Sequence, residues 1–194
     1  MAPLRLGILG SGRGSNFLAI ADHIKAGRLN ADIVIVLSDK PSVMLEKAQE
    51  LGLKNEFIDP KRFASRELFD EAVASKLKAA KVDLVVLAGY MRIVSDSFID
   101  AFPHQILNIH PSLLPLFKGL HPQQQALDAG GKESGCTVHW VTSELDSGPI
   151  VLQKSVPVLP DDTEDRLSDR ILVEEHTLYS QAISQIAKEM ESRQ

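Results

Sequence analysis

The sequence predicts an α/β protein: a mostly parallel, twisted sheet with helices on both faces, followed by a C-terminal antiparallel strand pair. Three observations carry that expectation. Short apolar runs at Leu4–Leu9, Ala31–Leu37 and Leu84–Leu87 read as strands buried on both faces. The segments between them place apolar residues at helical spacing with short connections, the pattern of βαβ units. After Pro115 the pattern changes to two alternating stretches, Ser134–Val141 and Ile150–Val158, that can pair directly.

The elements follow in order. Behind the first strand, Gly10-Ser11-Gly12-Arg13-Gly14-Ser15-Asn16 opens a helix carrying Phe17, Leu18, Ala21 and Ile24, with Gly27 as its stop. Val43–Leu51 is the next helix, closed by Gly52, and Asn55–Ile58 a weaker strand. Ser65 can cap a helix with Leu68, Ala72, Val73 and Leu77 on one side. Leu84–Leu87 runs into Ala88-Gly89-Tyr90-Met91-Arg92, and a short helix near Ser97–Phe102 precedes the strand that delivers Asn108 and His110. Gly119-Leu120-His121-Pro122 leads into a short helix ending at Gly130-Gly131. Thr142–Pro149 then joins the two alternating strands through eight residues, longer than an ordinary hairpin turn. Thr163 caps a last helix with Leu167, Ile171, Leu178, Ala182 and Ile186 as its buried stripe, and Glu175 falls inside that stripe. One domain of Rossmann-like form is expected, with a division near residue 105. In such sheets ligands bind beyond the carboxyl ends of the strands, so the loops after Gly10, after Gly89 and after Asn108 are expected on one edge.

Composition narrows the classes. A chain of 194 residues with 44% hydrophobic and 24% charged residues can bury a core without disulfides or metal. A net charge of −5 leaves no basic excess for nucleic acid or anionic membranes. The single cysteine, Cys136, cannot form an internal disulfide, which points to a reducing compartment, and its place in a strand reads as a small buried thiol. Neither a charged-then-apolar leader nor a run approaching the ~20 residues of a membrane span is seen. The six histidines lack metal-ligand spacing, so no metal site is expected.

Several residues carry chemistry. In Asn108-Ile109-His110, period-2 geometry places an amide and an imidazole on one face of a strand end. That pair suits acyl transfer, the amide donating to an oxyanion and the imidazole moving a proton; it also reads as a hydrogen-bonded corner. The loop at Gly10–Asn16 lacks the Lys of a Walker loop and has Ser15 where a dinucleotide fingerprint has its third glycine. It reads as a cradle for one phosphate, as a dinucleotide site, or as a plain turn with Ser15 capping the helix. Asp146, in the long loop, would orient the His110 imidazole if brought near it, or is a solvated turn residue. Arg66 and Arg92 could each meet an anion at the open edge. Ser112 lacks the Gly-x-Ser-x-Gly elbow of a hydrolase nucleophile. A proton shuttle, an oxyanion donor and a phosphate cradle without a protein nucleophile fit an enzyme whose nucleophile belongs to a substrate.

Ser11-Gly12-Arg13-Gly14-Ser15-Asn16, Leu87-Ala88-Gly89-Tyr90-Met91-Arg92-Ile93, Asn108-Ile109-His110-Pro111-Ser112-Leu113-Leu114-Pro115, Glu144-Leu145-Asp146-Ser147-Gly148-Pro149 and Glu175-His176 occur in that order. Together they resemble the phosphoribosylglycinamide formyltransferases, folate-dependent enzymes of purine synthesis, over about Leu4 to Tyr179. The resemblance implies formyl transfer from 10-formyltetrahydrofolate, a consumed cosubstrate, to the glycinamide amine, with no bound cofactor and no metal. It implies that Gly14, Ser15 and Asn16 hold the substrate phosphate and that Glu175 contacts the ribonucleotide. Arg66, Met91, Arg92, Ile93, Val94, Asn108, Val141, Thr142, Glu144 and Asp146 line the folate site, while Asn108, His110 and Asp146 are catalytic. Expected partners are these two small molecules, with a cytoplasmic monomer or homodimer. Ser147 stands where the family usually has glycine, and Leu172 where a polar residue is expected. Three rivals remain: a 10-formyltetrahydrofolate hydrolase, whose relatives carry an N-terminal regulatory domain where here the first strand begins at Leu4; a formyltransferase for initiator tRNA, which needs a basic C-terminal domain; and a non-catalytic nucleotide-binding module.

Overall fold

The computed structural model describes residues 2–192. Its strands are β1 (Leu4–Gly10), β2 (Ala31–Ser38), β3 (Asn55–Phe57), β4 (Leu84–Leu87), β5 (Ile106–His110), β6 (Glu133–Trp140) and β7 (Ile150–Pro157). Its α-helices are α1 (Ser15–Lys25), α2 (Val43–Glu50), α3 (Arg66–Ala79), α4 (Asp96–Ala101), α5 (Pro122–Asp128) and α6 (Glu164–Glu191). The strands form a mostly parallel sheet in the order β3-β2-β1-β4-β5-β6-β7. Two compact units divide at Leu107/Asn108.

In the first unit, β1 pairs in parallel with β2 and β4, and β2 with β3. The apolar runs do what their composition requires: Leu6, Ile8, Ile35, Val36, Val85 and Val86 lose essentially all exposure. Each such side chain contributes roughly 1.5–3 kcal/mol by leaving water. Ser65 caps α3, its hydroxyl accepting from Leu68 N at 3.3 Å. The buried face of α3 is Phe69, Asp70, Val73, Ala74 and Leu77. Leu68, expected inward, is 47% exposed, because the i, i+4 row through Phe69, Val73 and Leu77 takes the core side. In α1, likewise, Asn16, Phe17 and Ile20 are buried, whereas Leu18, Ala21 and Ile24 sit half-buried at the margin. Asp70 accepts from Ser95 N at 2.6 Å, and the Ser95 hydroxyl accepts from Phe98 N at 3.4 Å, so a buried carboxylate anchors the start of α4.

In the second unit, β6 and β7 pair antiparallel with a register shift between Val138 and His139, and α6 packs on both strands. Leu167, Ile171, Leu178, Ala182 and Ile186 are all buried, and Thr163 caps the helix by accepting from Arg166 N at 3.3 Å. Just before the helix, Arg170 donates to both oxygens of Asp162 at 2.7 and 2.8 Å. Those hydrogen bonds, with one from Leu159 N, pull the Asp162 carboxyl down to about 2. The run after β5 is nailed to the strand pair. Thr137 Oγ1 donates to Ser112 O at 2.6 Å, Leu114 N donates to Thr137 Oγ1 at 3.1 Å, and Gln153 Nε2 donates to Leu114 O at 2.7 Å. The Leu114–Pro115 peptide is cis. Ser112 donates to Leu116 O at 2.6 Å, so its hydroxyl is committed to the turn.

Candidate active site

Strand β5 carries Asn108 half-buried and His110 buried at its end. The His110 ring is held from both nitrogens. Nε2 lies 2.9 Å from Phe117 O, and since a carbonyl only accepts, that nitrogen bears the hydrogen. Nδ1 faces Asp146 Oδ2 at 3.5 Å. Asp146 is 9% exposed in its side chain, so the reading of a solvated turn residue is set aside. Its backbone is left-handed, with φ of 48°, and Oδ2 also accepts from Gly119 N at 3.0 Å.

The second oxygen of Asp146 lies 3.7 Å from Nε2 of His139, a residue that sequence reasoning passed over. His139 Nδ1 lies 3.0 Å from Trp140 O and must donate to it. Burial is the main reason its pKa falls below the ordinary imidazole value, with His110 also lowering it, against the Trp140 hydrogen bond and Asp146. A neutral His139 with its hydrogen on Nδ1 leaves Nε2 to accept from Asn108 Nδ2 at 3.2 Å. That bond uses one N–H of the Asn108 amide and leaves the second for a ligand. The available sequence signal was weak: His139 shares a strand face with Thr137, three residues before the long loop begins at Thr142, and stands where the β6–β7 register slips. The loop returns tightly against it. A Cβ on Gly148 would collide with Trp140 O, and Trp140 N donates to Pro149 O at 2.9 Å.

In the first unit, Gly14 is the N-cap of α1, left-handed at φ 77°, and no side chain caps the helix. Ser15 is the first helical residue, which removes the reading of Ser15 as a capping serine. A Cβ on Gly14 would come within 2.7 Å of Met44, so glycine is required there both by conformation and by space. Nothing lies within 4 Å of a Cβ on Gly12, which leaves the loop open on that side. Ser11 ties this loop to the next one, its N donating to Gly89 O at 3.0 Å and its Oγ accepting from Met91 N at 2.9 Å.

The remaining candidates are less constrained. Met91 and Ile93 are 70% and 58% exposed, and Val94 is buried. The Arg92 guanidinium lies over the Phe69 ring at 4.8 Å, and exposed Arg66 pairs with Glu67 at 3.5 Å. Val141 and Thr142 are half-buried, and Glu144 is exposed. Glu175 is 6% exposed on α6, and Leu172 half-buried. Cys136 is fully buried, and its thiol is pushed up to about 12 by burial first and by Glu175 and Glu174 next, so it is an inert core residue. No cluster of three metal-ligating side chains occurs among the described residues.

Residues 4–183 match the formyl transferase family. The chain belongs to that family. It is 41% identical over 181 residues to phosphoribosylglycinamide formyltransferase of Escherichia coli, covering 93% of this chain and 85% of that one. It is 47% identical over 185 residues to the trifunctional purine biosynthetic protein adenosine-3 of Drosophila melanogaster, covering 94% of this chain but only 14% of that protein. Among solved structures, glycinamide ribonucleotide transformylase 1 from Symbiobacterium toebii superposes with a TM-score of 0.95 at 49% identity, covering 96% of this chain and 89% of that one. These likenesses carry the expected fold class: a mostly parallel seven-stranded sheet with helices and a C-terminal antiparallel pair.

Proposed function

We propose that this formyl transferase moves the formyl group of 10-formyltetrahydrofolate to the amine of 5′-phosphoribosylglycinamide. The observation that carries the reading is the convergence of Asn108, His110 and Asp146, with no side-chain nucleophile among them. In this reading the amine lone pair attacks the formyl carbon and the carbonyl electrons move onto oxygen. The free N–H of Asn108 and the His110 ring donate to that oxyanion. In the unliganded protein Phe117 O holds the Nε2 hydrogen of His110; a developing oxyanion is the stronger acceptor and competes for it. Asp146 assists removal of the amine proton, and the C–N10 bond then breaks as N10 takes up a proton, so atoms and charge balance.

Under the same proposal Gly14, Ser15 and Asn16 hold the phosphate, and Glu175 meets the glycinamide ribonucleotide. The open glycine-rich start of an uncapped helix supports the first assignment. Arg66, Met91, Arg92, Ile93, Val94, Asn108, Val141, Thr142, Glu144 and Asp146 line the folate site; the strong exposure of Met91 and Ile93 in a hydrophobic-rich loop supports their part in it. In the same reading residues up to about 105 form the phosphate- and nucleotide-binding half, and residues from about 106 to 194 the catalytic and folate-binding half. The proposed setting is a cytoplasmic monomer or homodimer needing no metal. Among the described residues, no helix is long and apolar enough to cross a membrane.

The test is turnover of 10-formyltetrahydrofolate with and without glycinamide ribonucleotide. Formylated product only when the acceptor is present is the expected result. Formate release at the same rate without acceptor would replace this reading by the hydrolase.

A further inference from the structure

Three consecutive residues of the turn before α5 engage the site in three different ways. Phe117 O accepts from His110 Nε2 at 2.9 Å, and Gly119 N donates to Asp146 Oδ2 at 3.0 Å. Between them, Lys118 Nζ donates to Ser147 Oγ, and Ser147 Oγ in turn donates to Leu145 O at 2.9 Å. The hydroxyl is thus used in both directions, and it closes a ring around Asp146. Lys118 Nζ also lies 3.7 Å from Glu144 Oε1, a contact with a largely exposed carboxylate that contributes little by itself. The turn is stiff where it matters. Phe117 and Gly119 are left-handed, with φ of 57° and 79°, and Gln125 Nε2 donates to Lys118 O at 3.1 Å and Leu120 O at 2.9 Å. Asp146 is left-handed too, at φ 48°, a conformation that aspartate adopts more readily than most L-residues.

We infer that Lys118 and Ser147 form a clip that locks the Thr142–Pro149 loop onto the Phe117–Gly119 turn and thereby sets the Asp146 carboxylate against His110. Both are positioning residues. They act through the loop and not on the His110 or His139 ring: the hydroxyl holds Leu145 O on one side of Asp146, and the ammonium holds the hydroxyl. The clip is of particular use here because Ser147 supplies a side-chain acceptor that a glycine at that position could not. Its consequence for catalysis rests on the formyl-transfer reading, but its consequence for loop closure does not.

The experiment therefore has two readouts on the full chain. Amide hydrogen exchange of the free protein needs no substrate: Lys118→Met and Ser147→Ala are each expected to speed exchange at Gly119, whose N–H donates to Asp146, and at Trp140, whose N–H donates to Pro149 O, by about tenfold, the lower end of what one charge-assisted hydrogen bond contributes. Lys118→Arg should restore the slow rate. Lys118→Met/Ser147→Ala should be no faster than Ser147→Ala alone, because the Lys118–Ser147 bond is already lost there together with the bond to Leu145 O. In the formyl-transfer assay kcat should fall by a similar factor, with KM for glycinamide ribonucleotide unchanged. Exchange unaltered in Lys118→Met, or additive effects in the double variant, would overturn the clip even if formyl transfer is intact. Altered exchange in a protein whose unmodified form transfers no formyl group would keep the clip and overturn the proposed reaction.

Discussion

The glycine-rich loop of the first unit and the His110–Asp146 cluster of the second are built on opposite plans. The loop is contiguous, Gly10 to Asn16, and its shape is written in the backbone: a left-handed Gly14, glycines packed against Met44, and a helix start without a side-chain cap. The cluster is assembled from four separate stretches that meet through side chains: Asn108 and His110, Phe117 to Gly119, His139, and Asp146. A backbone-built site presents fixed N–H dipoles and suits binding. A side-chain-built site can carry a titratable group and shift protons, so it suits chemistry. The two should respond to mutation in different kinetic constants.

The largest effect is expected in the cluster. His110→Ala and Asp146→Asn should each lower kcat by about 10²-fold or more, as for loss of a proton-transfer group. Steady-state kinetics with both substrates saturating checks this, and a near-normal kcat in either variant removes that residue from the mechanism. Next comes the loop. Asn16→Ala should raise KM for the phosphorylated acceptor by about tenfold, the value of one hydrogen bond to a charged group, with kcat nearly unchanged. A change confined to kcat would erase the contrast between the regions. Gly14→Ala should also destabilise the fold by about 1–3 kcal/mol, because it adds a Cβ in a left-handed position 2.7 Å from Met44; chemical denaturation reads this out.

Acid should separate the regions further. His139 has its pKa lowered by burial, so the unfolded chain binds a proton more readily than the native one. Its contribution to stability is complete above the ordinary imidazole value of 6.5 and declines as pH falls below it. Protonation of Nε2 also ends its role as acceptor for Asn108. Melting temperature against pH should show this slope, and His139→Gln should flatten it; an unchanged slope would argue that His139 is not the group. The smallest effect on activity is expected from Asp162→Asn, remote from both regions. Asp162 is held down to about 2 by Arg170, so its support is present above the usual carboxyl value and lost as pH falls through about 2. The variant should melt earlier at neutral pH yet keep kcat and both KM values; any change in kcat would contradict a purely structural clamp.

Much of this molecule was legible in the residues because the information is local. Apolar runs bounded by glycine mark strands, and β5 ends on Asn108 and His110 as period-2 spacing requires. The α6 stripe, including inward Glu175, follows from helical spacing, and the Ser65 and Thr163 caps from residue type. Errors fell at margins. Leu68 and Leu18 are apolar residues one step off the true core row, and a single-residue rotation of 100° cannot be read from composition alone.

By itself the sequence determined the order of elements, the glycine positions that shape the first loop, and the chemical types at Asn108, His110 and Asp146. Only the tertiary structure decided that the Asp146 carboxylate lies between two imidazoles, that His139 orients Asn108, and that Lys118 reaches Ser147. Those contacts join residues 7 to 36 positions apart, through turns whose left-handed φ values leave no periodic mark on the chain. Periodicity reports what one segment does; which segments meet depends on packing, and packing is a property of all of them together.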